Sequence, residues 1–129
     1  NGCFDILHMG HIEILAKAAD LGDRLIVGLN SDTSIQKLKG IERPIIPENS
    51  RQIIIASLQF VDAVILFSEN TPFQLISEIN PAFLVKGGDY NPSNIIGGDL
   101  IKKNGGEVIT IPLKKGFSSS NIINKIQNG

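Results

Sequence analysis

Both histidines of the chain, His8 and His11, its only cysteine, Cys3, and one aspartate, Asp5, stand in the opening stretch "NGCFDILHMGHIEIL" with Gly2 and Gly10 among them. Glycines at a strand-to-helix turn let a ligand approach the backbone. A helix beginning near Gly10 aims free N–H groups and a partial positive charge at that ligand. His8 and His11 add side-chain donors at the same spot. Such a set suits phosphate oxygens, above all those that gain charge during a reaction. Two other readings stand beside it. Zinc takes three or four protein ligands, and only Cys3 and Asp5 are at hand to supplement the histidines. The histidines can also simply begin a helix, and Cys3 by itself reads as a small packing residue.

The elements that must hold this cluster alternate between strand and helix patterns. Ile12, Ile14, Leu15, Ala18 and Ala19 have helical spacing, and Gly22 suits a C-terminal stop. Residues 25–29, "LIVGL", read as a strand buried on both faces, with Asn30, Ser31 and Asp32 turning after it. Residues 33–50, with Gly40, Pro44 and Pro47, read as a loop with a short helix. The pattern predicts a helix over 51–60 and a strand over 63–67. Thr71 as N-cap and Pro72 at the first position start a helix that ends near Asn80–Pro81. A strand over 83–86 runs into "KGGDY". A helix over 93–104, weakened by Gly97 and Gly98, a strand over 108–111 and a helix over 121–127 follow.

This order implies an α/β fold, a Rossmann-like doubly wound parallel sheet with helices on both faces. The sheet has about five strands if one precedes residue 1. Ligands on such sheets bind at the carboxyl ends of the strands. Residues 2–11, 30–32, 86–90 and 116–120 fall there.

At 129 residues the chain has the length of one domain with one core, so 1–129 reads as a single domain. A motif at residue 1 with no strand before it suggests a first strand cut short. Hydrophobic residues at 42% and charged residues at 19% exclude a disordered chain. A net charge of −1 gives no electrostatic footprint for nucleic acid or an anionic membrane. No apolar run nears the roughly 20 residues of a membrane helix. A lone cysteine excludes an internal disulfide and fits a reducing, cytoplasmic setting.

"GCFDILHMGH" resembles the G-x-F-D-x-x-H-x-G-H signature of the cytidylyltransferase-like nucleotidyltransferases, related through their His-x-Gly-His to class I aminoacyl-tRNA synthetases. The resemblance continues through "GDRLIVGLNSD", "LKGIERPI", "FVDAVILFSENTP", "FLVKGGDY", "GGEVITIPL" and "GFSSSNIINKI". These look like one branch, the D-glycero-β-D-manno-heptose 1-phosphate adenylyltransferases of bacterial lipopolysaccharide core biosynthesis. "NGCFD" and "LVKGGDY" favour that branch over glycerol-3-phosphate cytidylyltransferases, which typically read "GTFD" and carry an acidic residue where Gly88 falls. The branch implies transfer of AMP from ATP to a sugar 1-phosphate, giving ADP-heptose and pyrophosphate, with Mg²⁺ carried mainly by ATP. A cytidylyltransferase acting on glycerol 3-phosphate or a similar small alcohol phosphate is one alternative. A non-catalytic nucleotide-binding module is another.

The resemblance also assigns roles. His8 and His11 contact the triphosphate and stabilise the transition state, and Lys39 lies near the acceptor and α-phosphates. These three are the expected catalytic residues. Arg51 joins Lys39 on the acceptor phosphate. The nucleotide is expected along Cys3, Phe4, Asp5 and Gly10. Its base and ribose fall at Lys86, Gly87, Gly88 and Asp89, and its outer phosphates at Ser118, Ser119 and Ser120. Asp5 and Asp32 are left without a firm role, and no protein metal ligand is assigned. The blander readings are a solvated charge for Lys39, a surface helix charge for Arg51, a plain turn at Gly87–Gly88 and an ordinary N-cap among the serines. Gln59 departs from the family, where an Arg often precedes "VD". Lys114 and Lys115 stand where cytidylyltransferases carry an Arg before their Ser-Thr-Thr stretch. Some family members are fused to a sugar kinase domain and many form dimers, which leaves both a kinase partner and a homodimer open.

Overall fold

The His8–His11 stretch runs directly into α1, Met9–Leu21, which leads to β1, Ile26–Asn30. These elements come from a computed structural model that describes residues 1–88 and 90–129; Asp89, one of the expected nucleotide residues, lies outside them. Then come α2, Asp32–Lys39, and α3, Glu48–Ala56, followed by β2, Ala63–Phe67, and α4, Phe73–Ile79. Next are β3, Phe83–Gly87, a 3₁₀ turn at Pro92–Asn94, α5, Gly98–Lys103, β4, Glu107–Ile111, and α6, Ser119–Asn128. The strands are parallel and alternate with helices, as the sequence order implies.

Among the described residues there are four strands in two two-stranded sheets, not five in one. β1 pairs with β2 from Ile26 opposite Ala63 to Asn30 opposite Phe67. β3 pairs with β4 from Phe83 opposite Glu107 to Gly87 opposite Ile111. β1 and β3 do not pair with each other. An apolar groove of about 580 Å³, lined by Leu21, Leu25, Gly28, Leu75, Phe83 and Val85 among others, lies between them. Asn1 also lines it. The Gly2 N–H donates to the Gly28 carbonyl at 2.9 Å and the Gly2 carbonyl accepts from Asn30 at 3.0 Å, a single parallel bridge to β1.

Local chemistry explains where the elements begin and stop. Ser31 caps α2 by accepting the Ser34 N–H at 3.2 Å, so a helix starts where the sequence suggested a turn. Thr33 and Ser34, weak helix formers, hide it from a periodicity reading. α3 begins after Pro47, ahead of the expected Arg51. α4 begins at Phe73, one residue beyond Pro72, with Thr71 Oγ1 accepting from the Phe73 N–H at 3.4 Å. Gly97, at φ +82°, breaks the predicted 93–104 helix into the 3₁₀ turn and the short α5.

Packing gathers the elements into two apolar clusters. Leu15 of α1, Val27 of β1 and Ile55 of α3 form one, with Phe4 and Leu7 packed against it. Ile76, Leu84, Ile95 and Ile101 form the other, around β3 and α5. Since α1 packs Leu15 on Val27 of β1 and also contacts β3, it spans both sheets. No helix among the described residues is long and apolar enough to cross a membrane.

Candidate active site

The loop before α1 is fixed from several sides. Asp5 is 2% exposed. Its Oδ1 accepts from the Ile46 N–H at 2.9 Å, and its Oδ2 accepts from the Ile45 N–H at 2.8 Å and Arg43 Nε at 3.0 Å. Burial alone would raise its carboxyl, but these donors outweigh burial and hold it below the usual range, so it is ionised at neutral pH. Phe4 and Ile6, on either side, occupy the left-handed region at φ +48° and +55°. Each costs about 1–3 kcal/mol, which the surrounding ties must offset. Ser119 Oγ donates to the carbonyls of Asp5 and Ile6, and Arg51 Nη1 donates to the Cys3 carbonyl at 2.8 Å.

The two histidines form one unit. The His8 N–H donates to His11 Nδ1 at 3.2 Å, and the rings stack with centroids 3.7 Å apart and planes 19° from parallel. The Phe4 ring meets His11 edge-on at 5.4 Å. With Nδ1 accepting, neutral His11 carries its proton on Nε2 and offers a donor there. Burial, then the positive charges of His8 and Lys39, push the His11 imidazole down to about 4. Burial also lowers His8. Both are therefore neutral donors, not cations, at pH 7.

This has a consequence for stability. The unfolded chain takes up protons at these histidines near pH 6.5, above the folded value for His11. The native state is thus favoured fully above about pH 6.5 and loses that preference as pH falls towards about 4. Urea midpoints measured at pH 7 and near pH 4.5 should show the loss, and His11→Gln should flatten it. An unchanged slope in His11→Gln would assign the effect to other groups.

Gly10 serves a different purpose from the expected one. A Cβ built on it would lie 2.9 Å from His8 Cε1 and 3.0 Å from Phe117 Cβ. The space over Gly10 is filled by the His8 ring, so the missing side chain seats a histidine and not, in this structure, a ligand. Gly10→Ala should displace His8 from its stack, lowering turnover about 10²-fold with little change in melting temperature. Parallel kinetics and thermal melts check this; full activity in a well-folded variant would contradict it.

A cleft of about 370 Å³ opens beside this unit, at the carboxyl ends of β1 and β3. Of the expected residues it brings together Cys3, Phe4, Asp5, His11, Lys39, Lys86 and Ser119. Lys39, at the C-terminal end of α2, is exposed. Lys86 Nζ donates to Asn1 Oδ1 at 3.0 Å and lies 5.9 Å from the Tyr90 ring centre. Burial lowers its ammonium, against a smaller rise from Cys3. Gly87 lines an adjoining recess of about 190 Å³ together with Lys86. Gly88 sits at φ +119°, a conformation that favours glycine, with Tyr90 packed over it. His8 backs His11 without lining the cleft, and its Nδ1 is buried with no hydrogen-bond partner among the described residues.

The three serines divide their work. Ser118 caps α6, its Oγ accepting from the Asn121 N–H at 3.3 Å. Ser119 ties α6 to the Asp5–Ile6 loop. Ser120 is exposed one position further on. The first N–H groups of this ten-residue helix have no intrahelical acceptors.

Arg51 contradicts the acceptor-phosphate expectation. It is 1% exposed and does not line the cleft. Its Nε donates to the Ile46 carbonyl at 2.8 Å, and its Nη1 donates to the Cys3 and Asn30 carbonyls, each at 2.8 Å. Its Nη2 meets Asp32 Oδ1 at 2.7 Å. A guanidinium so committed ties the loop before α1, the end of β1 and the loop before α3 together and has almost nothing left for a ligand. Arg43 was not singled out from the sequence, yet it lines the cleft. Its only signal was its place inside "LKGIERPI", where nothing in the spacing separates it from an ordinary loop charge.

No group of three or more His, Cys, Asp and Glu that could hold a metal stands among the described residues. The Asp5 oxygens are taken by three N–H donors, and His11 Nδ1 by a fourth. These side chains do not fit a zinc or magnesium site.

The motif, its helix and the cleft can now be set against known proteins. The cytidylyltransferase-like family model matches residues 1–125. The chain belongs to the cytidylyltransferase-like family. Among relatives, the bifunctional protein HldE of Photobacterium profundum is 55% identical over 129 residues, which is 100% of this chain and 27% of that protein. HldE of Coxiella burnetii (strain RSA 493 / Nine Mile phase I) is 52% identical over 128 residues, 99% of this chain and again 27% of that protein. The chain thus spans about a quarter of the length of these relatives. The crystal structure of the lipopolysaccharide core biosynthesis protein from Thermoplasma volcanium GSS1 matches with a TM-score of 0.71 at 32% identity, covering 90% of this chain and 93% of that one. In this cytidylyltransferase-like chain, His8-Met9-Gly10-His11 spans the N-cap and first turn of α1, and His11 lines the cleft.

Proposed function

We propose that this chain transfers AMP from ATP to D-glycero-β-D-manno-heptose 1-phosphate, giving ADP-heptose and pyrophosphate. The observation that carries the reading is the neutral His11, its Nδ1 held by the His8 N–H and its Nε2 left as a donor, in one cleft with Lys39, Lys86 and Ser119. The acceptor phosphate is already an anionic nucleophile at pH 7, so the site needs no strong base. It must hold two repelling anions in line and stabilise charge on the transferred phosphoryl group. His11 and the α1 N-terminus face the α-phosphate, and Lys39 bridges it to the acceptor. The free N–H groups of α6 and the Ser120 hydroxyl receive the outer phosphates. Base and ribose lie along Lys86–Gly88. Mg²⁺ enters as part of the MgATP substrate.

Adenine and the heptose rest on the branch resemblance in "NGCFD" and "LVKGGDY". The relatives' description as bifunctional, with the chain spanning 27% of them, supports a second activity carried elsewhere in the polypeptide, and a sugar kinase fits the substrate. Both substrates belong to the cytoplasm. Pyrophosphate release, measured with ATP, CTP and GTP against heptose 1-phosphate and glycerol 3-phosphate, tests the reading. Turnover should need ATP and the heptose. Turnover with CTP and glycerol 3-phosphate alone would overturn the branch and keep the nucleotidyl transfer.

A further inference from the structure

Arg43 has a side-chain donor that nothing among the described residues uses. It stands on the loop between α2 and α3, 13% exposed at its side chain, and lines the same cleft as His11, Lys39 and Lys86. Its Nε donates to Asp5 Oδ2 at 3.0 Å, while its Nη2 is buried with no hydrogen-bond partner among the described residues. A buried, charged N–H without an acceptor is costly in a finished structure, so such a group asks for a partner. The anchoring is one-sided. Asp5 is itself fixed by the Ile45 and Ile46 N–H groups, and it grips the guanidinium by the Nε edge alone. That leaves Nη2 without a partner among the described residues, on a planar group of the kind that receives two oxygens of one phosphate.

The contrast with Arg51 is direct. Arg51 satisfies Cys3, Asn30, Ile46 and Asp32 and turns away from the cleft. Arg43 donates to one carboxylate, and its Nη2 meets no acceptor among the described residues. In the proposed reaction His11 and the α1 and α6 N-termini serve the triphosphate, and Lys86–Gly88 serve the nucleoside. The loop that carries Arg43 follows Lys39, on the side left for the other substrate.

We infer that Arg43 binds the phosphate monoester of the acceptor, with Asp5 as the residue that positions it. The assignment to the acceptor rests on the nucleotidyl-transfer reading; the capture of a phosphate by Arg43 does not. The shared chemistry is a phosphate dianion, which either the acceptor or the triphosphate can supply, and the test separates them. Arg43→Gln and Arg43→Lys are compared with wild type by KM for acceptor, KM for ATP, and binding of inorganic phosphate followed by ³¹P NMR. Arg43→Gln should raise the acceptor KM about tenfold or more, with the ATP KM within about twofold. Arg43→Lys, which keeps the charge and loses the fork, should fall between. A rise in the ATP KM alone would overturn the acceptor assignment.

The phosphate-binding arm needs no turnover. If wild type turns over no sugar phosphate yet Arg43→Gln weakens phosphate binding, the inference that Arg43 captures phosphate holds and the reaction reading is wrong. Phosphate binding and acceptor KM both unchanged in a folded Arg43→Gln overturn the inference whatever the activity. Should Arg43→Gln melt below assay temperature, Arg43→Lys decides alone, with an unchanged acceptor KM and unchanged phosphate binding counting against it.

Discussion

His11→Ala should lower turnover about 10²–10³-fold while the melting temperature moves little, because it removes a neutral donor aimed at charge that develops only in the transition state. The donor exists because of local geometry. The His8 N–H occupies Nδ1 at 3.2 Å, which places the proton on Nε2, and burial holds the ring neutral. The loss should fall on kcat more than on the KM for ATP, since a ground-state phosphate has other donors nearby. His11→Asn, which keeps an N–H but shortens the reach, should recover part of the loss. Steady-state kinetics on folded variants decide. A fall in kcat of less than about threefold would remove His11 from the chemistry, since a transition-state donor is worth far more.

Arg51→Met should cost stability and not merely affinity. The side chain fills a fully buried position and donates to three carbonyls and to Asp32. Methionine keeps most of the apolar stem but leaves those carbonyls without donors, each worth about 1–3 kcal/mol when orphaned in the interior. Asp32, 30% exposed, regains water and adds little. A loss of about 3–5 kcal/mol in urea unfolding is expected, a large share of a small domain's stability. Arg51→Lys should recover little, since one ammonium cannot reach three carbonyls on separate segments. A stable Arg51→Met with a selectively raised acceptor KM would return Arg51 to the phosphate.

These two residues show what a sequence can and cannot declare. The place of His11 at a helix start was legible from two histidines around Gly10 before an apolar helix, while its expected role came from the family resemblance. Strands at 26–30, 63–67 and 83–87 were legible as apolar runs between turn signals. α2 was legible only as a short helix somewhere in 33–50, because its start depends on a Ser31 cap and its Thr33 and Ser34 carry little helical preference. Arg51 and Arg43 are eight positions apart, and both look like surface charges. Only the packing of the 40–47 loop on Asp5 sends one inward to hold carbonyls and leaves the other with a buried Nη2 that has no partner among the described residues. Gly10 was expected to admit a ligand; that its open side is filled by the His8 ring was not in the sequence. The division into two sheets was hidden for the same reason, since the pairing of β1 and β3 with their neighbours is a long-range matter.

The most direct measurement uses ATP labelled at the α-phosphate, incubated with heptose 1-phosphate, Mg²⁺ and the protein, with products separated by charge. Nucleotidyl transfer requires the label to appear in a nucleotide sugar, matched mole for mole by unlabelled pyrophosphate, and requires His11→Ala to suppress both together. Label recovered in ADP would mean that the γ-phosphoryl group moves instead, and label recovered only in free AMP would mean hydrolysis. Either result would contradict the proposed reaction.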